Sequence, residues 1–167
     1  MITNIILTTK EKFLLEDQKS DEELCIQKYT NYANIASDQQ LKEIFSSNAK
    51  QEHEHLDTIN HLLNGQVPSS LTNKQGGSNA SQQQQQKEQQ SVLRSLNSSP
   101  DSQTPDKDLC SDTLMMEKHV SSAYNTAIFE FRDAQVRDIL NNIQKEEQQH
   151  GEKIYKYMES KGMYSPK

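Results

Sequence analysis

The sequence predicts an all-α fold, a four-helix bundle of two repeated helical hairpins joined by a long low-complexity crossover. Three observations carry this expectation. Apolar residues recur at helical spacing through roughly 9–64 and 106–160, where Gly and Pro are nearly absent. Between these stretches, residues 66–105 form a compositional island in which 10 of 40 positions are Gln, 9 Ser, 3 Pro and 2 Gly. The two helical stretches also repeat one another at an offset of 95 residues. No segment alternates apolar and polar residues with a period of two, so no strand is expected.

The elements follow in chain order. In the first helix Leu15, Glu22, Cys25, Tyr29, Tyr32 and Ala36 share a face. Ser37-Asp38 breaks it, and Asp38 is placed to cap the next helix, since a short carboxylate can accept from the free N–H groups of a first turn. The second helix carries the stripe Leu41, Ile44, Phe45, Asn48, Glu52, His55, Ile59 and Leu62, and Gly65 ends it. The crossover, with its run Gln82–Gln86, is too polar to offset the entropy of ordering it and reads as a flexible connection with room for a short helix around Ser91–Leu96. The third helix aligns Thr113, Glu117, Val120, Tyr124, Ala127 and Phe131. Past a capping Asp133, the fourth aligns Val136, Leu140, Ile143, Glu147, His150, Ile154 and Tyr157. The domain plan is residues 1–64 as the first hairpin, 65–105 as the linker and 106–167 as the second hairpin of one domain, since 167 residues suffice for a single core.

Twelve of 48 ungapped positions are identical at the offset of 95. They include Glu22/Glu117, Tyr29/Tyr124, Asp38/Asp133, Glu52/Glu147 and His55/His150. The identities fall on helix faces and at the inter-helix breaks, which is where a duplicated hairpin must keep its residues.

Four glutamates and two histidines interrupt the apolar stripes: Glu22, Glu52, His55, Glu117, Glu147 and His150. A carboxylate facing a core is costly unless paired or bound to a cation. Each half supplies one Glu and, 30 residues later, a Glu-x-x-His whose two side chains lie one turn apart on one face. Two halves packed about a pseudo-twofold axis would bring four carboxylates and two imidazoles together, the ligand set of ferritin-like di-iron and di-manganese bundles. Hard oxygen donors with imidazole and no thiolate suit two iron or manganese ions, with Glu52 and Glu147 expected to bridge and Glu22 and Glu117 to be terminal. No catalytic residue is assigned. The alternative for the six is that Glu22 and Glu117 are partly exposed helix residues and the histidines make core hydrogen bonds.

Composition narrows the function classes. The formal net charge is −6, with charges of both signs interleaved, which argues against nucleic acid or an anionic membrane as partner. No apolar run approaches a membrane span, and Ile5–Leu7 is too short for a signal-peptide core, so cytoplasmic synthesis is expected. Cys25 and Cys110 cannot form a disulfide framework and read as small buried apolar residues. His53, His61 and His119 fall off the inward stripes and are expected in solvent. Tyr29 and Tyr124 read as core residues with satisfied hydroxyls, and Met115, Met116 and Met158 as packing.

Residues 108–164, from DLCSDTLMMEKHV to YKYMESKGMY, resemble the spore coat protein F domain of endospore-forming bacteria. The first half (EELCIQKYTNYA … LKEIF … QEHEH) is similar to the ferritin-like domain of rubrerythrins, with Glu22 seven residues before Tyr29. Together these resemblances imply a ferritin-like fold, a spore-coat location, partners among other coat proteins or further copies of the chain, and ligand roles for the same six positions. The chain departs from rubrerythrins at Val120, where they usually have a second Glu, and in having no CxxC pair of a rubredoxin module. Three functions are therefore expected in competition: a structural coat protein with a metal site, a di-iron or di-manganese oxidoreductase acting on peroxide or oxygen, and a metal-free helical interaction module. Six inward polar residues in register speak against the third.

Overall fold

Local capping chemistry sets the ends of the helices. In a computed structural model, which describes residues 2–68 and 105–164, Thr8 opens the first helix with a reciprocal capping box. Its hydroxyl accepts from the Glu11 N–H, and the Glu11 carboxylate accepts from the Thr8 N–H. This helix, α1, spans Thr9–Ile35. A three-residue break leads into α2, Gln39–Leu63, whose cap Asp38 accepts from the Gln40 N–H. The second hairpin repeats the plan with α3, Asp106–Glu130, and α4, Ala134–Ser160, where Asp133 accepts from the N–H groups of Gln135 and Val136.

The chain is an all-α four-helix bundle. Within each hairpin the two helices pack closely, α1 on α2 and α3 on α4, and the hairpins meet through α1 against α3 and α2 against α4. The core between them contains Leu15, Phe45, Ile59, Leu140 and Ile154, all fully buried. These residues lie on the stripes expected from periodicity. Tyr32 and Ile44 are only half-buried, while Gln18 and Glu11 are buried although periodicity did not single them out. Met115 does not pack; it stands in solvent at 70% exposure, whereas its neighbour Met116 is buried.

Two carboxylates stitch the hairpins together in matching places. Glu11 of α1 accepts from the backbone N–H of Arg132, in the break between α3 and α4, at 3.0 Å. Asp106 of α3 accepts from the N–H groups of Ser37 and Asp38, in the break between α1 and α2, at 2.8 and 3.0 Å. The offset of 95 maps Glu11 onto Asp106 and Ser37 onto Arg132, so each hairpin's first turn caps the other hairpin's loop.

The expectation of no strand is corrected. Ile2–Asn4 (β1) pairs antiparallel with Gln66–Pro68 (β2), extending the ends of the first hairpin. Three-residue strands are too short to show a period of two. The ribbon is anchored where the Ile5 N–H donates to the Gly65 carbonyl at 2.8 Å. Gly65 has φ of +71°, and a Cβ there would stand 2.8 Å from the Ile5 carbonyl oxygen, so only glycine fits without displacement. The short helix expected around Ser91–Leu96, and most of the crossover, lie outside the described residues.

Candidate metal centre

Helical spacing directs the six polar residues inward, and packing of the two hairpins brings them together. Glu22 comes from α1, Glu52 and His55 from α2, Glu117 from α3, and Glu147 and His150 from α4. None is more than 3% exposed. They form two overlapping groups: Glu22, Glu52, His55 and Glu147, and Glu52, Glu117, Glu147 and His150. Within each group one ligand atom per residue lies within 4.8 Å of the others, and Glu52 and Glu147 belong to both.

The groups are related by the same pseudo-twofold axis as the sequence repeat. His55 Nδ1 stands 2.9 Å from Glu147 Oε1, and His150 Nδ1 stands 3.0 Å from Glu52 Oε1. The longer approaches match as well, His55 to Glu22 at 3.6 Å and His150 to Glu117 at 3.8 Å. The imidazoles stack with ring centroids 5.8 Å apart. Both rings therefore turn Nδ1 toward the carboxylates.

Whether this donor set suits cations can be judged from its unmet valences. Glu117 Oε2 and His150 Nε2 are buried without a hydrogen-bond partner, and Glu22 Oε2, Glu52 Oε1, both oxygens of Glu147 and His150 Nδ1 have only carboxylate–imidazole approaches that form no hydrogen bond. Such atoms normally carry a penalty that burial does not repay. Divalent cations would satisfy them together, and four carboxylates with two imidazoles match the preferences of iron and manganese. The donor set fits a dinuclear centre.

Without cations the cluster is electrostatically strained. Burial, reinforced by Glu147 and Glu52, raises the Glu117 carboxyl far above the ordinary carboxylate range, and burial likewise raises Glu22. Burial also opposes ionisation of Glu147, but His150 and His55 outweigh it and hold this carboxylate low. Burial disfavours charge on both imidazoles, yet the surrounding carboxylates raise the pKa of each. Glu22, Glu117 and the two imidazoles thus favour bound protons, a role that cations would take over.

Comparison with known proteins bears on the second hairpin. Residues 105–167 match the family model described as the Coat F domain. No curated protein and no solved structure matches the chain. The Coat F segment contains α3 and α4 and hence Glu117, Glu147 and His150.

Three further side chains contact the cluster. The Tyr29 hydroxyl of α1 donates to Glu117 Oε1 on α3, and the Tyr124 hydroxyl of α3 donates to Glu22 Oε1 on α1. Each hairpin's tyrosine thus holds the other hairpin's carboxylate. Glu146 of the Coat F segment stands 2.8 Å from Nε2 of His55, on the ring edge away from the cluster. Periodicity did not find Glu146, because it is only half-buried and off the inward stripe. Its counterpart at the offset of 95 is the neutral Gln51, and His150 Nε2 has no partner.

The remaining candidates stay apart. His53, His61 and His119 are exposed. Cys25 and Cys110 are free, buried thiols; burial raises both, Cys110 to about 12, which leaves them protonated and unreactive. No described helix is long and apolar enough to cross a membrane.

Proposed function

We propose that this chain is a spore coat component whose bundle, ferritin-like in plan, holds a dinuclear iron or manganese centre. Glu52 and Glu147, which belong to both donor groups, would be shared between the ions, Glu22 and Glu117 would each hold one, and His55 and His150 would each serve one. The observation that carries the metal reading is the pair of overlapping donor groups that share Glu52 and Glu147. The Coat F match over the second hairpin supports the coat reading, with other coat proteins or copies of this chain as partners. Bound as a pair, the ions would supply Lewis acidity and redox capacity. The chain's own residues orient them: Tyr29 and Tyr124 fix the terminal carboxylates, and Glu146 fixes the His55 ring.

Elemental analysis of natively expressed protein should find close to two iron or manganese ions per chain, and the double change Glu52→Ala with Glu147→Ala should remove them. A wild-type sample that keeps no metal after loading would overturn the centre. A rubrerythrin-like oxidoreductase is the second reading, implied by the resemblance of the first half around Glu22 and Tyr29. Mixing the ferrous form with peroxide or oxygen decides it: a changed absorption spectrum supports turnover, and an unchanged one leaves a structural metal site.

A further inference from the structure

A cleft of about 630 Å³ opens between α3 and α4, and Glu117 and Glu147 form part of its lining. Both side chains are buried and carry carboxylate oxygens without a hydrogen bond, Oε2 of Glu117 and both oxygens of Glu147. Leu114 and Tyr155 make much of the wall apolar, Ser121, Ser122 and Gln144 interrupt it with polar groups, and Lys118 and Glu152 add one charge of each sign. Gln144 is held in place by donating from Nε2 to the Ser121 carbonyl at 2.8 Å.

Two small residues keep the cleft open. Gly151 follows His150 on α4; a Cβ there would meet Leu114 Cδ1 at 3.6 Å and Glu117 Cβ at 3.8 Å, so any larger side chain would extend into the space above Glu117. Ser121 faces it from α3. At the offset of 95, Gly151 corresponds to Leu56 and Ser121 to Ile26, both half-buried in the first hairpin. The repeat therefore breaks at two positions that line the cleft beside Glu117 and Glu147.

We propose that this cleft is the route by which hydrated divalent cations reach the buried centre, entering from the second hairpin's side. Glu117 and Glu147 line the cleft and the two histidines do not, so these carboxylates would be the first donors a cation meets there. The proposal rests on the metal reading, and its test separates the two. Metal-free protein is mixed with Co²⁺ in a stopped-flow instrument, and the visible absorption of the bound ion is followed. Gly151→Leu, which installs the first hairpin's residue, should slow filling by about tenfold or more while the final Co²⁺ content stays at the wild-type value, since a tenfold change needs only ~1.4 kcal/mol of added barrier. Ser121→Ile, on the other helix, should do the same and decides the matter if Gly151→Leu alters the circular dichroism. Filling of both variants at the wild-type rate would overturn the route and leave the centre standing. Failure of the wild-type protein to take up Co²⁺ would overturn both.

Discussion

Glu146 reaches the ring edge of His55 that faces away from the cluster, and a carboxylate there does two things to a metal-ligating imidazole. It fixes the proton on Nε2, which leaves the Nδ1 lone pair for a cation, and it makes the ring a stronger donor. His150 has the neutral Gln51 at the equivalent place in the repeat and no partner on Nε2. The two cation positions are therefore unequal despite matched ligands. Glu146→Gln should weaken one of the two binding steps by about 10–100-fold and leave the other in place. Isothermal titration with Mn²⁺ reads this directly, and equal weakening of both steps, or of neither, would disprove the asymmetry. Periodicity identifies residues that face a core, so it found the six acids and imidazoles and passed over a half-buried glutamate whose importance depends on what lies opposite.

At the scale of elements, the helices are secured by carboxylates that accept from free backbone N–H groups. Asp38 and Asp133 do this within their own hairpins, and each was legible as an N-cap because capping is a local contact. Glu11 and Asp106 do it across hairpins, a contact between residues more than 60 positions apart that no window of sequence reveals. Burial opposes ionisation of Glu11, but the N–H groups of Arg132 and Thr8 and both their side chains hold its pKa down at about 2, against an ordinary 4.5. A lowered folded-state pKa stabilises the fold above the unfolded value and ceases to do so as pH falls through the folded one. The contribution is present at neutral pH and fades between about pH 4.5 and pH 2. Urea melts should show Glu11→Gln less stable than wild type by a margin that is large at pH 7 and shrinks toward pH 2. A margin that stays constant with pH would mean that packing, and not the charge, holds the loop.

For the whole molecule, the centre couples the hairpins. Each donor group takes ligands from both of them, so a cation bound there must be released before the hairpins separate. A ligand that binds only the folded state stabilises it by ~2.7 kcal/mol at 100 times its dissociation constant, which for a domain of this size raises the melting temperature by roughly 5–10 °C. Calorimetry with and without Mn²⁺ should show that rise in wild type and none in the Glu52→Ala, Glu147→Ala double variant. The same rise in both proteins would mean that the cation stabilises the bundle from somewhere else.

The sequence by itself determined the helices, the caps Asp38 and Asp133 and the inward-facing glutamates and histidines, because helical spacing and an internal repeat are properties of neighbours along one chain. It also pointed to Glu52 and Glu147 as the pair most central to the cluster. Only the tertiary structure decided that Tyr29 reaches Glu117 and Tyr124 reaches Glu22, that Glu146 stands behind His55, and that a ribbon joins Ile2–Asn4 to Gln66–Pro68. It decided too that Gly151 and Ser121 line a cleft that reaches Glu117 and Glu147. Periodicity states which way a side chain faces, but the partner it meets depends on how two distant faces approach, and that is settled by packing.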